Sequence, residues 1–263
     1  MKLKHFFFFI FLFFVNNSWA QNSFYKRMEG ILGGQGVQVH VTKEDSELTV
    51  LYYYQIIGLP VKLTGLVEKD GSFKLLNYDD SGNISETYSG SFTADYSAIA
   101  GTWFNYDSTV NTTFSFEETY TETSSKFDLK TIRNKYFNDE NRLLAEFKNR
   151  QLYIQLPENA LAQKSINDTV IKWQYGILPS FAGTKPRKID FEKYGKFFID
   201  SSKAEAAEME AKQGFFITYG INTSTGVVFN ERNIACVELY NYMYVGGAHP
   251  SEFISYNCFN TKT

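Results

Sequence analysis

Metal ligands and catalytic motifs are scarce in this chain. Its 263 residues include only two cysteines, and His40 and His249 are the only histidines after residue 20. Zinc held by the two cysteines would need both histidines as further ligands, so we expect no metal site and no cofactor. The motifs Gly-x-Ser-x-Gly and His-Glu-x-x-His do not occur, which argues against a serine hydrolase elbow and a zinc protease.

Clustered charge and long apolar runs are missing too. The chain carries 26 Lys and Arg against 29 Asp and Glu, without a block of like charge. Nucleic-acid binding requires a clustered basic face, so we expect no nucleic-acid partner. After Val15 no apolar run is long enough to span a bilayer, and we therefore predict no transmembrane segment in the mature chain.

The first twenty residues have the composition of a secretory signal peptide. Lys2 and Lys4 form a basic start, Phe6–Val15 is an apolar run of ten residues, and Ser18 and Ala20 are small residues at the positions that signal peptidase reads. As a helix the apolar run would be ~15 Å long, about half of a bilayer core. We predict cleavage after Ala20 and an exported protein, periplasmic or extracellular.

Residues 21–120 are predicted to form an antiparallel β-meander. Short runs rich in Tyr, Phe, Thr and Val alternate with turn residues, and none has a helical period. The predicted strands are Val37–Thr42, Leu48–Tyr54, Val61–Glu68, Phe73–Tyr78, Glu86–Thr93, Ala98–Asn105 and Asn111–Glu117, with Phe24–Gly30 as an eighth candidate. Seven or eight short strands at even spacing favour a barrel or a sandwich, because closure removes exposed edges.

A polar segment, residues 121–126, is predicted to link the meander to an α+β domain, residues 127–263. Helices are predicted to begin at Pro157, to cover Phe191–Phe198, and to begin again at a capping box that runs from Ser202 to Glu205. The predicted strands are Phe127–Phe137, Gln151–Leu156, Phe215–Ile221, Val227–Phe229, Ile234–Val245 and Glu252–Phe259. We expect helices packed on an antiparallel sheet.

The two cysteines lie on the arms of a predicted hairpin. If residues 246–248 form its turn, Val245 faces His249, and the same register places Cys236 directly opposite Cys258. Facing residues of antiparallel strands have Cα atoms ~4.5–5.5 Å apart, a distance that a disulfide can bridge. The spacing favours a disulfide in an exported chain, whereas a register shifted by two residues would leave two free thiols.

Two tyrosine runs and one histidine are the candidate ligand-binding residues. Tyr52 and Tyr54 occupy alternate positions of one predicted strand, which places them on one face. The same holds for Tyr240, Tyr242 and Tyr244. Such a face suits sugar rings or an apolar ligand, although ordinary sheet packing with hydroxyls in water gives the same pattern.

The two remaining histidines receive different interpretations. His249 follows the glycine turn, where it is a candidate for ligand contact or chemistry, or else shapes the hairpin before Pro250. His40 lies in the middle of a predicted strand and is interpreted as a surface or barrel-lining residue. We assign no catalytic residue.

The region Phe127–Thr263 resembles a bacterial exported module. Four features carry the resemblance: a strand that ends at Pro157, a helix after it, a strand that leads into Gly246-Gly-Ala-His-Pro250, and a last strand that includes Tyr256. The region is similar to the module that precedes the catalytic domain of PdaC-type peptidoglycan deacetylases and to the ectodomain of RsiV-type anti-sigma factors. The β-meander lies outside this resemblance.

The resemblance implies a binding or accessory role. Members of the family usually continue with a further α+β domain, whereas this chain ends at Thr263, so a downstream partner domain is one expectation, and neither deacetylation nor sigma-factor regulation is carried over. We expect an exported, non-catalytic envelope protein that recognises a cell-wall glycan or a protein partner. The alternatives are a hydrolase with a site near His249 and a carrier of a small apolar ligand in the N-terminal barrel.

Overall fold

The structure is a computed structural model that describes residues 23–56, 58–181, 183–213 and 217–263. The predicted signal peptide, residues 1–20, lies outside the described residues. Across those four ranges, no helix combines the length and the apolar character needed to cross a membrane.

Eight antiparallel strands close into a barrel, as the sequence predicts. The strands are β1 (Ser23–Leu32), β2 (Gln35–Glu44), β3 (Glu47–Tyr54), β4 (Pro60–Val67), β5 (Ser72–Tyr78), β6 (Ile84–Phe92), β7 (Ala98–Asn105) and β8 (Asn111–Glu118). Each strand pairs with the next, and β1 also pairs with β8. The eighth candidate strand therefore exists, and its pairing on both sides completes the closure.

Alternation along the strands separates the barrel interior from its outside. In β2, Val37, Val39 and Val41 belong to the barrel core, together with aromatic side chains from the other strands. The intervening residues Gln38 and His40 point outward and are nevertheless buried, because this side of the barrel packs against the second domain.

The second domain is a five-stranded sheet with two helices, which confirms the α+β architecture. Its elements are β9 (Lys126–Phe137), β10 (Leu143–Gln155), α1 (Ala160–Gly176), α2 (Phe191–Gln213), β11 (Tyr219–Glu231), β12 (Ile234–Tyr244) and β13 (Ser251–Asn260). The strand order is β13-β12-β11-β10-β9. The pair β10–β11 is parallel, because the helices carry the chain back across the sheet between these strands. The helices cover one face, here called the inner face, and the outer face turns toward the barrel.

Element boundaries differ from the predictions at both helices. α1 begins at Ala160 and not at Pro157, because Asn159 caps it: the Asn159 side chain accepts a hydrogen bond from the Ala162 amide at 3.1 Å. The two helices predicted around residue 194 and after Ser202 are one helix, α2. Ser202 is buried within it, so packing against the sheet overrides the local capping signal. The two strands predicted between residues 215 and 229 are likewise one strand, β11, although residues 214–216 are outside the described ranges.

The cysteine pair forms the predicted disulfide. Cys236 on β12 pairs directly with Cys258 on β13 in the strand register. Their sulfur atoms are bonded at 2.02 Å. The register that the glycine turn imposes therefore extends unbroken to the far end of the hairpin.

A buried arginine joins the barrel to the α+β domain. Arg27 on β1 is fully buried. Its guanidinium donates hydrogen bonds to the carbonyl oxygens of Asn230 at 3.1 Å and Thr119 at 2.7 Å, and to the Glu29 carboxylate at 2.6 Å. Asn230 lies on β11, and Thr119 begins the segment between β8 and β9. One side chain thus ties the barrel, the connecting segment and the sheet together.

Candidate functional site

The predicted tyrosines fall into two separate places. Tyr52 and Tyr54 pack in the barrel interior, where the Tyr52 hydroxyl lies 2.7 Å from that of Tyr88. Burial raises the pKa of Tyr52, with smaller contributions from neighbouring groups. The tyrosines of β12 lie instead on the outer face of the sheet, as strand alternation requires.

A groove runs along β11 on the outer face; we call it the β11 groove. Its floor consists of the small residues of β11 that share this face: Gly220, Asn222, Ser224 and Gly226. The pairing register places Tyr240, Tyr242 and Tyr244 of β12 along one side. The same register places Glu146, Lys148 and Arg150 of β10 along the other side. Aromatic rings therefore face charged side chains across a low floor.

The glycines of the floor are not required by packing within the chain. A methyl group added at Gly226 would meet no atom within 4 Å, and one added at Gly220 would meet only a Tyr242 ring carbon at 3.9 Å. Both glycines therefore leave open space that the protein itself does not fill. The groove is deeper than a β-strand with ordinary side chains would make it.

The groove leads into a cavity between the sheet and the barrel. This interdomain cavity has a volume of about 280 Å³, and a second, shallower depression of about 210 Å³ lies farther along the groove. Lys148 and Asn222 line both spaces, so the two are continuous. The barrel contributes side chains from β2, β3 and β4 to the interdomain cavity, among them Thr49 and Thr64.

A buried carboxylate organises the charges of the cavity. Glu44 of the barrel is 2% exposed and lies 3.2 Å from Lys148 Nζ, 3.4 Å from Arg133 Nη2 and 3.8 Å from Arg150 Nη1. Burial lowers the pKa of Arg150, against the opposing effect of Glu44. Burial alone would raise the pKa of Glu47, but its hydrogen bond to Lys148 and the nearby cations hold that pKa below its ordinary value. Glu47 is thus held ionised beside Lys148.

His40 places beside the same cavity a ring nitrogen that has no hydrogen-bond partner among the described residues. The Asn230 amide donates to the Tyr25 hydroxyl at 3.4 Å, and the Tyr25 hydroxyl lies 2.8 Å from His40 Nδ1. The hydroxyl is thus the hydrogen-bond partner of Nδ1, and Nε2 is the ring nitrogen that remains. Burial, reinforced by the nearby charge of Arg27, lowers the pKa of His40 to about 3, so the ring is neutral at physiological pH.

The Nε2 atom of His40 is buried and has no hydrogen-bond partner among the described residues. The same is true of Glu44 Oε2 and Arg150 Nε. All three residues line the interdomain cavity. Buried polar atoms are nearly always paired with protein groups or ordered water, so these three atoms need partners inside the cavity, which water or the polar groups of a ligand can supply. The interpretation of His40 as a surface or barrel-lining residue is wrong: the side chain is outside the barrel but covered by the sheet.

His249 lies outside the groove's paired strands, in the turn between β12 and β13. Its side chain is exposed, and no hydrogen bond or ion pair to it is found in the described part of the chain. Of the β12 tyrosines, Tyr244 contacts this turn: its hydroxyl donates to the Gly247 carbonyl oxygen at 2.9 Å. An acid–base histidine needs an orienting partner, so the geometry gives no support to chemistry at His249.

The sequence predicts one side of the groove but not the other. Its alternating tyrosines indicate Tyr240, Tyr242 and Tyr244, whereas no pattern indicates Glu44, Lys148 or Arg150. Charged residues at alternate strand positions usually face water, and no local signal distinguishes those that a second domain covers. Among the described residues, no group of three or more His, Cys, Asp or Glu side chains is arranged to hold a metal ion.

Comparison with known proteins gives one family. The family model described as Deacetylase PdaC matches residues 92–252, from the last residue of β6 to the start of β13. The match begins earlier than the predicted resemblance at Phe127 and includes the last two strands of the barrel. The similarity to RsiV-type ectodomains stays a prediction.

Among solved structures, the chain is similar to a crystal structure of a DUF3298-family member from Bacteroides fragilis. The identity is 17%, the TM-score is 0.42, and the similarity covers 54% of this chain and 58% of that chain. The chain therefore spans less than two thirds of that structure. No curated protein matches the chain.

Proposed function

The chain belongs to the PdaC deacetylase family, and from this premise we propose that it is an exported, non-catalytic accessory protein of the bacterial envelope that binds a cell-wall glycan. The β11 groove is the proposed binding site. Peptidoglycan is the substrate class that the family resemblance implies. The disulfide between Cys236 and Cys258 supports export, because disulfides persist in oxidising compartments.

The observation that carries the proposal is the chemistry of the groove. Aromatic rings along one side provide faces for sugar rings. Residues at alternate positions of a strand are ~7 Å apart, so Tyr240 and Tyr242 present successive faces along an extended chain. Burial, together with a hydrogen bond to the Glu252 carboxylate, raises the pKa of Tyr240 to about 12, so the hydroxyl stays protonated and donates to Glu252, and the ring face is what Tyr240 offers to a sugar.

The charge of the interdomain cavity favours a neutral ligand. Three carboxylates and three cations line it, and they are Glu44, Glu47, Glu238, Lys62, Lys148 and Arg150. These groups pair with one another, as in the contact of 2.7 Å between Lys148 and Glu47. Paired charges offer both donors and acceptors without a net field, which suits the hydroxyls of a sugar better than an anion or a cation.

The other two functions have less support. A hydrolase would need a base oriented near His249, which is exposed without a polar partner in the described structure. A carrier of an apolar ligand would need space inside the barrel, but Phe73, Tyr88 and Phe114 pack against one another in its interior. The packed interior favours a structural role for Tyr52 and Tyr54.

Co-sedimentation with insoluble peptidoglycan sacculi tests the proposal. We expect the mature protein, residues 21–263, to sediment with sacculi and the variant Tyr242→Ala to bind about tenfold more weakly, because truncation of an aromatic anchor costs about 1–2 kcal/mol. Tyr106→Ala is the matched control, since Tyr106 is 75% exposed on the barrel, and it should bind as the wild type does. If the wild type does not sediment, glycan binding is refuted and a protein partner becomes the better explanation of the groove.

A further inference from the structure

The β11 groove is open at one end and blocked at the other. Beyond Gly226, β11 packs directly on the barrel: the Phe229 ring stacks on Tyr53 with centroids 6.4 Å apart. The next residue, Asn230, accepts the hydrogen bond from the buried Arg27. No ligand chain can pass along the floor beyond this contact. At the other end, the depression beside Gly220 and Tyr242 is lined only by residues of the sheet.

A polar atom without a hydrogen-bond partner lies toward the blocked end. His40 is 2% exposed and is connected through the Tyr25 hydroxyl to Asn230, which follows Phe229 on β11. Among the described residues its Nε2 atom has no hydrogen-bond partner. A hydroxyl group can both donate and accept, so it can pair with this nitrogen in either tautomer. The open end of the groove, in contrast, offers aromatic faces.

The size of the blocked end limits what it can hold. Pockets for small molecules have volumes of roughly 300–1,000 Å³, and the interdomain cavity, at about 280 Å³, is just below that range. This volume suits one sugar ring rather than several. Because the barrel blocks β11 beyond Gly226, a long glycan that lies along the groove would place its last unit in the cavity.

We propose that the β11 groove binds the end of a glycan chain, with the terminal sugar in the interdomain cavity and the following sugars against Tyr240 and Tyr242. This inference rests on the proposed function and adds to it that the protein recognises chain termini and not chain interiors. The ligand class is an uncharged pyranose with free terminal hydroxyls. The blocked end excludes the interior of a glycan chain, because a chain bound through an internal sugar would have to pass through the contact between Phe229 and Tyr53.

The number of chain ends can be varied independently of the mass of glycan. Sacculi partially digested with a muramidase, and still insoluble, contain more glycan ends per unit mass than untreated sacculi. We expect the amount of protein bound at saturation to rise in proportion to the measured number of ends. Saturation that follows the mass of glycan and ignores the number of ends would overturn recognition of termini.

Two variants that fill the cavity provide a second test of this proposal. Thr49→Phe places a ring in the blocked end, and Thr64→Phe does so from the neighbouring strand, since Thr49 and Thr64 face each other in the register. We expect at least a tenfold loss of binding from whichever of the two keeps the wild-type thermal unfolding temperature. Tyr242→Ala, at the open end, should weaken binding but preserve the dependence on chain ends.

The outcomes separate this inference from the proposed function. If the wild type binds sacculi, Tyr242→Ala binds weakly, and the cavity-filling variants bind normally, the groove binds glycan interiors and the inference fails alone. If the wild type does not bind sacculi of either kind, the proposed function fails, and this inference fails with it.

Discussion

The stability of this protein should depend on pH through one buried histidine, His40. The pKa of His40 in the folded state is about 3, because burial and the charge of Arg27 disfavour the imidazolium. In the unfolded chain a histidine titrates near ~6.5. Between these values the unfolded state binds a proton and the folded state does not. Stability is therefore unaffected by His40 above pH ~6.5 and decreases as the pH falls from ~6.5 toward ~3.

The magnitude follows from the two pKa values. Each pH unit within this window is worth about 1.4 kcal/mol, so at pH 5 the protonation of His40 in the unfolded chain favours unfolding by about 2 kcal/mol. Other groups also titrate in this range, and the comparison therefore needs a variant. His40→Gln removes the titration while keeping a polar group that can hydrogen-bond to the Tyr25 hydroxyl.

Urea unfolding at pH 7.5 and at pH 5 measures the effect. Between these two conditions we expect the wild type to lose about 2 kcal/mol more unfolding free energy than His40→Gln loses. His249→Gln is the matched control, because His249 is exposed, and it should follow the wild type. Equal losses in the wild type and in His40→Gln would show that the folded state does not hold His40 neutral.

Two further predictions concern the connections within the fold. Arg27→Met should reduce the unfolding free energy by about 3–5 kcal/mol, because the buried Asn230 carbonyl loses its donor. The control Arg187→Met, at an exposed position, should change the unfolding free energy by less than ~0.5 kcal/mol. Calorimetry compares the two variants, and similar values would contradict the role of Arg27. The double variant Cys236→Ala/Cys258→Ala should lose about 3 kcal/mol, because the disulfide closes a loop with a sequence separation of 22. In chemical denaturation the reduced wild type should match this variant, and a reduced protein as stable as the oxidised one would refute the estimate.

The strands of the barrel were predictable because their signal is local. Alternating residues such as Val37, Val39 and Val41 require one face of a strand to be buried, and turn residues between the runs set where each strand ends. The hairpin with the disulfide was predictable for the same reason, since the turn fixes the register that brings Cys236 to Cys258. The helix boundaries were not predictable. α2 continues past Ser202 because it packs on the sheet, and no local signal marks this continuation.

The amino-acid sequence by itself determined the strands of the barrel, the pairing of the cysteines, and the face on which Tyr240, Tyr242 and Tyr244 lie, because each depends on a short-range period or on one turn. Only the tertiary structure decided that the barrel covers the outer face of the sheet. That contact buries His40 and Glu44 and turns an ordinary polar strand surface into a cavity. The residues involved are separated by more than a hundred positions, and burial of a polar side chain depends on what packs over it, which no local pattern encodes.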